Sequence, residues 1–297
     1  MIAQRRVGVG EPLVLLHALG TDRHMWDPVI DRLAAERDVI ALDMPGFGAS
    51  PTIAELARRG LAASERPASP ADLAGVDHAR LAALAAGGAV SPADLAAAIH
   101  SHLVALGLDR PHVAGNSLGG WVALELALAG RARSVTAIAP AGLWAQPLSP
   151  KRSAARRLAR ALRPALPALL KSGRGRRIAL GGTIAHPERI PYAAALALVR
   201  AYADAPGFDA ANAGMRAGRF TGLAEIDVPL TLAWPEHDRL VARPSTVPAV
   251  AREFRLRGCG HMPTWDDPEQ VARVLLAGSA LAPCDIELAA EQDRDAR

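Results

Sequence analysis

The sequence has only two cysteines, Cys259 and Cys284, and aromatic residues make up just 4% of its 297 residues. Two cysteines cannot form a disulfide framework, so a reducing compartment is expected. No aromatic residues are interleaved with the basic ones, which argues against a nucleic-acid surface built on base stacking. We therefore expect a cytoplasmic protein without a nucleic-acid partner.

Long apolar runs are also missing. No segment reaches the roughly 18 to 20 uninterrupted apolar residues that a membrane-spanning helix requires. Arg5 and Arg6 look like a twin-arginine signal, but no apolar region of a signal peptide follows them. The histidines lack the paired spacing with carboxylates or cysteines that indicates a metal site. Half of the residues are hydrophobic, which predicts a globular chain with a large core.

The run Gly115-Asn116-Ser117-Leu118-Gly119 is the most informative pattern. It follows a β-like stretch, 111–114, and precedes a helix-like run, 118–129. A serine at the apex of a tight strand-to-helix turn projects its hydroxyl from the sheet edge, where it can act as a nucleophile. The flanking glycines predict that strand and helix approach closely, since a Cβ would clash there. Leu118 would present its backbone N–H at the helix N-terminus, which stabilises developing negative charge.

A serine nucleophile needs a histidine base and a carboxylate that orients this base. Downstream, a strand-like stretch, 228–234, leads to Asp238, and a second one, 253–256, leads to a glycine-rich loop with His261. Glu236 precedes Asp238 by two residues and stays open as the alternative carboxylate. The spacing therefore predicts a serine–histidine–carboxylate site.

Further signals predict the surroundings of this site. The buried-strand pattern 12–16 leads into His17-Ala18-Leu19-Gly20, and a loop at such a position supplies a second oxyanion N–H. We expect His17 to stabilise this loop rather than to carry protons. Asp266 and Asp267 precede Pro268 and are expected to be helix caps.

The chain resembles the α/β-hydrolase family in five segments that follow the family's order: 17–20, 43–48, 115–120, 234–238 and 258–261. The resemblance implies that Ser117 is the nucleophile, His261 the general base and Asp238 the residue that orients the histidine. It also implies an oxyanion hole formed by the N–H groups of Leu19 and Leu118, and it requires no metal or organic cofactor.

Two positions depart from the family pattern. Ala18 stands where the family usually has glycine, so it must accept a conformation that glycine adopts more easily. Pro235 also replaces a usual glycine, and its fixed φ bears on where Asp238 points. Ser117 excludes haloalkane dehalogenases and epoxide hydrolases of this fold, which need aspartate at the nucleophile position.

The resemblance implies a doubly wound, mostly parallel α/β sheet with an inserted helical lid and one or two strands fewer than the family's eight. The predicted boundaries are a core at 1–140 and 228–282, a lid at 141–227, an extra helical insertion at about 52–90 and a mobile tail at 283–297. Within the insertion, 69–74 has the same sequence as 91–96, and both copies predict a helix start.

Basic residues crowd the predicted lid between Lys151 and Arg177, with leucines at helical spacing among them. We expect the leucines to roof the active site and the arginines to face water, with contact to a membrane or an anionic headgroup as the alternative. Pro164 and Pro167 predict an interruption of the helix. The apolar stripe indicates a small-molecule substrate with a lipophilic portion.

The predicted function is hydrolysis of a carboxylic ester with a lipophilic acyl or aryl group. Because 115–120 also resembles hydrolases that cleave carbon–carbon bonds in ring-fission diketones, this activity stays open as the alternative. A small-molecule receptor with little or no turnover is the alternative of another class, since one fold serves many functions.

Overall fold

The computed structural model describes residues 1–64, 78–150 and 154–280. Seven strands of this part form one sheet in the order β1-β3-β2-β4-β5-β6-β7, in which only the β1–β3 pair is antiparallel. The strands are β1 (Gln4–Val7), β2 (Glu11–Leu16), β3 (Arg37–Leu42), β4 (His112–Asn116), β5 (Ser134–Ile138), β6 (Leu230–Pro235) and β7 (Arg252–Leu256). The predicted fold class is confirmed.

The helices of the described ranges are α1 (Asp27–Ala34), α2 (Ile53–Ser64), α3 (His78–Ala85), α4 (Pro92–Ala105), α5 (Leu118–Leu128), α6 (Ala154–Ala161), α7 (Leu166–Lys171), α8 (Gly173–Leu180), α9 (Tyr192–Asp204), α10 (Phe208–Ala217) and α11 (Pro268–Gly278). None of them combines the length and the apolar character that crossing a bilayer requires.

The sheet separates two hydrophobic cores because successive side chains of a strand point to opposite faces. In β2, Val14 and Leu16 belong to the core that α4 and α5 cover. Leu13 and Leu15 belong to the opposite core, which α1 and α11 cover. Both faces of β2 are therefore apolar, which explains its uninterrupted hydrophobic sequence.

Two predicted helix starts are confirmed. The Ser91 hydroxyl accepts the N–H of Asp94, whose carboxylate accepts the N–H of Ser91, so α4 begins with a capping box. The Asp267 side chain accepts the N–H of Gln270 at the start of α11. The first copy of the repeat, 69–74, and the predicted tail, 283–297, lie outside the described residues.

Among the described residues between β5 and β6, where the sequence predicts a lid, there are five helices, α6 to α10. The predicted interruption is present, since α6 ends at Ala161 and α7 begins at Leu166. Pro164 lies in the gap, but Pro167 is in the first turn of α7, where a missing N–H leaves no hydrogen bond unmade. In the predicted insertion, α2 packs against α3.

A buried histidine joins β4, β5 and α11. The Ser134 hydroxyl donates to the carbonyl of Gly278 at 2.8 Å and so accepts from Nδ1–H of His112 at 2.7 Å. Burial lowers the pKa of His112 from 6.5 to about 4, and the charges of Arg133 and Arg37 act in the same direction. The folded protein therefore holds this imidazole neutral.

We predict that His112 makes the protein less stable in mild acid. Between pH 6.5 and 4 the His112 imidazole is protonated in the unfolded chain but neutral in the folded chain. The free energy of unfolding therefore falls as the pH falls. From pH 7.5 to pH 5 this group alone costs about 2 kcal/mol. His112→Asn keeps an N–H donor but cannot be protonated. Urea denaturation of this variant should therefore show a correspondingly smaller loss in the free energy of unfolding between pH 7.5 and pH 5. An unchanged loss would contradict the assignment.

Candidate active site

Ser117 forms the turn between β4 and α5 with φ at 55° and ψ at −114°, a conformation that non-glycine residues rarely adopt. Its N–H donates to the carbonyl of Ile138 at 2.9 Å, and its carbonyl accepts the N–H of Ala141 at 3.0 Å. The predicted close approach is present, because a Cβ on Gly115 would lie 2.1 Å from the carbonyl oxygen of Gly119. Packing and hydrogen bonds together hold the strained turn.

The structure brings His261 to Asp238. Nδ1 of the imidazole lies 2.7 Å from Oδ2 of the carboxylate, and each side chain is 5% exposed. Oδ1 accepts the N–H groups of Leu240 and Val241 at 2.7 and 3.0 Å. Burial by itself would raise the pKa of Asp238, but the hydrogen bonds from His261 and the two N–H groups outweigh it and hold this pKa below its usual value. An ionised Asp238 orients Nδ1–H toward itself and leaves Nε2 for proton exchange.

Pro235, which stands where the family usually has glycine, does not turn the Asp238 side chain away from His261. Pro235 ends β6, and its carbonyl accepts the N–H of Asp238 at 3.3 Å, which closes a turn after the strand. Glu236 is exposed and instead pairs with Arg255 at 2.7 Å and accepts the N–H of Gly258 at 2.9 Å. Of the two candidate carboxylates, only Asp238 is hydrogen-bonded to the histidine.

The backbone N–H groups of Leu19 and Leu118 have no hydrogen-bond acceptor among the residues that the structure describes. Leu118 is the first residue of α5, where the helix leaves N–H groups unpaired and carries partial positive charge. Leu19 lies in a turn closed by a bond of 3.2 Å from the N–H of Thr21 to the carbonyl of Ala18. In this turn the positive φ, 78°, is that of Gly20, and Ala18 does not have a positive φ. Alanine at position 18 therefore causes no backbone strain.

His17 stabilises this turn through two hydrogen bonds of its ring. Its Nε2 accepts the N–H of Met44 at 2.9 Å, and its Nδ1–H donates to the carbonyl of Ala18 at 2.8 Å. Burial lowers the pKa of His17, which agrees with a neutral ring that both accepts and donates. The position is that of a loop-stabilising residue, as the sequence predicts.

Sequence reasoning missed the role of Asn116. Its side-chain Nδ2 donates to the carbonyl oxygens of Ile138 and His261, each at 3.0 Å. The amide therefore joins the residue before Ser117 to the backbone of the histidine loop. Its position directly before Ser117 indicated that Asn116 lies at the site. A sequence pattern cannot show which distant carbonyl groups its amide reaches.

The expectation that Asp266 caps the helix that begins at Pro268 is wrong, although its backbone N–H ends the preceding 3-10 turn, Pro263–Trp265. Its carboxylate accepts the N–H groups of Gly260 at 2.8 Å, Ala185 at 3.0 Å and His186 at 2.8 Å. These bonds join the histidine loop to the segment between α8 and α9. Asp267 alone caps α11, so the two adjacent aspartates have different tasks.

Ser117 and His261 line one cavity of about 570 Å³, a volume typical of a small-molecule site. Most other lining residues are apolar and lie on α6 to α10 or between them; the leucines among them are Leu158, Leu162, Leu166, Leu169, Leu180 and Leu198. In the described ranges no group of three His, Cys, Asp or Glu could hold a metal ion. Burial raises the pKa of the nearby Cys259 to about 12, so this thiol is not a nucleophile at neutral pH.

The expectation that the lid arginines face water is wrong for Arg156. This side chain is 3% exposed, pairs with Asp209 at 2.8 Å and lies 4.8 Å from the centre of the Phe208 ring. It also donates to the carbonyl of Tyr202 at 3.1 Å. Arg156 therefore fastens α6 to α9 and α10.

A family model described as alpha/beta hydrolase family matches residues 13–274. Among curated proteins, the epoxide hydrolase EphH of Mycobacterium tuberculosis is 69% identical over 39 residues, which are 13% of this chain and 18% of EphH. A pimeloyl-(acyl-carrier protein) methyl ester esterase of Legionella pneumophila is 44% identical over 46 residues, which are 16% of this chain and 19% of the esterase. The chain thus spans less than a fifth of the length of either protein.

A solved structure extends the similarity to nearly the whole chain. A thermophilic esterase from Thermogutta terrifontis, with malate bound, has a TM-score of 0.61 and 20% identity, covering 93% of this chain and 91% of the esterase. At this identity the comparison shows the same fold.

We predict that Asn116→Ala loosens the histidine loop. The substitution removes the side-chain donor of the buried His261 carbonyl and one of two donors of the Ile138 carbonyl, which keeps the N–H of Ser117, at a cost of about 2 kcal/mol in the free energy of unfolding. Because one of these carbonyls belongs to His261, amide hydrogen exchange at Gly260 and Met262 should accelerate more than in β2. A uniform change across both regions would contradict a local role.

Proposed function

Since the chain belongs to the alpha/beta hydrolase family, we propose that it is a serine hydrolase that cleaves carboxylic esters with a lipophilic acyl or aryl portion. The family resemblance found in the sequence motifs is confirmed, and it supports hydrolase chemistry. The observation that carries the finer proposal is that His261, which is joined to Asp238 at 2.7 Å, lines the same cavity as Ser117.

In the proposed reaction, the Ser117 hydroxyl oxygen attacks the ester carbonyl carbon while Nε2 of His261 takes the hydroxyl proton. Asp238 stabilises the resulting imidazolium. The N–H groups of Leu19 and Leu118 donate to the oxyanion of the tetrahedral intermediate. His261 then protonates the alkoxide as its bond to carbon breaks, which leaves Ser117 acylated. A water molecule, deprotonated by His261, attacks the acyl carbon. The bond from this carbon to the Ser117 oxygen then breaks, His261 returns the proton to that oxygen, and the acid is released.

Two features support an ester with a lipophilic portion. The cavity wall is mostly apolar, so it favours a hydrocarbon part of the substrate over a highly charged one. Ser117 occupies the position where epoxide hydrolases of this fold need aspartate, so the short match to EphH favours a shared segment rather than a shared reaction. The esterases among the relatives agree with this proposal.

We predict that Ser117→Ala abolishes labelling by a fluorophosphonate probe and lowers kcat for 4-nitrophenyl butyrate at least about 10⁴-fold. Asp238→Asn should lower kcat by about 10⁴-fold, because the neutral amide no longer orients and stabilises the imidazolium. Glu236→Gln is the matched control, since Glu236 is exposed and hydrogen-bonded elsewhere. Equal losses in Asp238→Asn and Glu236→Gln would contradict the assignment of the acid.

A substrate panel separates the alternatives. We expect kcat/KM to be higher for medium-chain acyl and aryl esters than for acetyl esters, because each added CH₂ that is buried contributes about 0.8 kcal/mol. A vinylogous ring-fission diketone should be a poor substrate. Turnover of the diketone with no turnover of esters would favour the carbon–carbon hydrolase. A protein that neither reacts with the probe nor turns over any ester would be a receptor.

A further inference from the structure

Large exposed apolar side chains gather at the opening of the cavity. Leu158, Ile178 and Leu240 are 59%, 71% and 60% exposed, and all three also line the cavity that contains Ser117. Leu162, at 40%, is a fourth. A residue that is exposed and also lines a cavity lies at its mouth. Single exposed apolar residues are common, but four around one opening mark an interaction surface.

Each of these four residues has an exposed arginine beside it in the chain: Arg157, Arg163, Arg177 and Arg239. Arg157 and Leu158 are neighbours in α6, and Arg177 and Ile178 are neighbours in α8. Neighbours in a helix point about 100° apart, so these two arginines flank the apolar side chains and do not cover them. In the part of the chain that the structure describes, Arg157 and Arg239 have no carboxylate within ion-pair distance, whereas Arg163 pairs with Asp204 at 3.1 Å and Arg177 with Glu188 at 3.9 Å. The four apolar residues and these four arginines are called the rim below.

The charge of the chain is divided unevenly around the rim. Residues 141–227 contain 14 Lys and Arg against 5 Asp and Glu, a net charge of +9, whereas the whole chain carries only +4. The remainder of the chain therefore carries a net charge of −5. Positive charge is thus concentrated in the segment that surrounds most of the cavity mouth.

We propose that the rim docks on a bilayer that contains anionic phospholipids. Its leucine and isoleucine side chains enter the acyl boundary, and its arginines contact lipid phosphates. In this orientation the cavity mouth faces the bilayer. An acidic soluble partner would pair with the arginines but would leave the aliphatic side chains without a reason to be exposed, so the bilayer accounts for both features.

The test is co-sedimentation of the full chain with vesicles of phosphatidylcholine alone or of an equal mixture with phosphatidylglycerol. We expect binding to the anionic vesicles that weakens with salt. R157Q/R177Q/R239Q should lower the partition coefficient about 100-fold, since each arginine near an anionic surface contributes about fivefold. L158S/I178S/L240S should lower it at least about tenfold, because fewer methyl and methylene groups enter the acyl region.

Two control variants match these changes in charge and apolarity. R110Q/R131Q/R257Q removes the same net charge, and V9S/V104S/V250S alters exposed aliphatic residues that do not line the cavity. Both should bind like the wild type, as should Ser117→Ala, because docking does not depend on ester chemistry. Equal binding to both vesicle types, or equal losses in R110Q/R131Q/R257Q, would overturn the proposal.

The apolar variant decides between a bilayer and a soluble acidic partner. If L158S/I178S/L240S binds like the wild type, charge alone holds the surface and the bilayer proposal fails. Thermal melting checks that each variant is folded. If a triple variant does not fold, Arg157→Gln and Arg239→Gln are measured singly, and a loss of about fivefold in each supports the rim while no loss overturns it.

Discussion

The contact between β4 and α5 is the constraint on which the site depends. A Cβ on Gly119 would lie 2.3 Å from the carbonyl oxygen of Leu16, so the first turn of α5 lies directly over the end of β2. A Cβ on Gly115 would likewise lie 2.1 Å from the carbonyl oxygen of Gly119, so β4 approaches α5 closely and only Ser117 connects them. The backbone strain of Ser117 costs about 1 to 3 kcal/mol. The same approach brings the N-terminus of α5 against the strand that leads into the turn of Leu19.

The histidine loop is held from three directions by side chains that lie far apart in the chain. Asn116 binds the carbonyl of His261, Asp238 binds its ring, and Asp266 binds the N–H of Gly260. Asp266 also binds two N–H groups of the segment between α8 and α9, so this part of the predicted lid and the histidine loop share one carboxylate. Displacement of the segment between α8 and α9 would therefore disturb the histidine loop.

Local features were predictable from the sequence because their causes are local. Uninterrupted apolar runs mark strands that are buried on both faces, and the caps at Ser91 and Asp267 depend on residues only three positions apart. Arg156 shows where this reasoning ends. In the sequence it is one arginine among many, but the packing of α6 on α9 and α10 buries it with Asp209 and Phe208. The pattern of charges along a helix predicts which of its faces is polar. It cannot predict which other helix packs against that face.

The sequence by itself determined the serine turn and a short set of candidates for base and acid, because each is encoded in one short segment. The fold class followed from the resemblance of five such segments, in order, to one family. Only the tertiary structure decided between Asp238 and Glu236, assigned different tasks to Asp266 and Asp267, and gathered four exposed aliphatic residues around one cavity. Those choices depend on where strand ends and lid helices meet in space. Distances between residues more than a hundred positions apart result from packing, which no local pattern encodes.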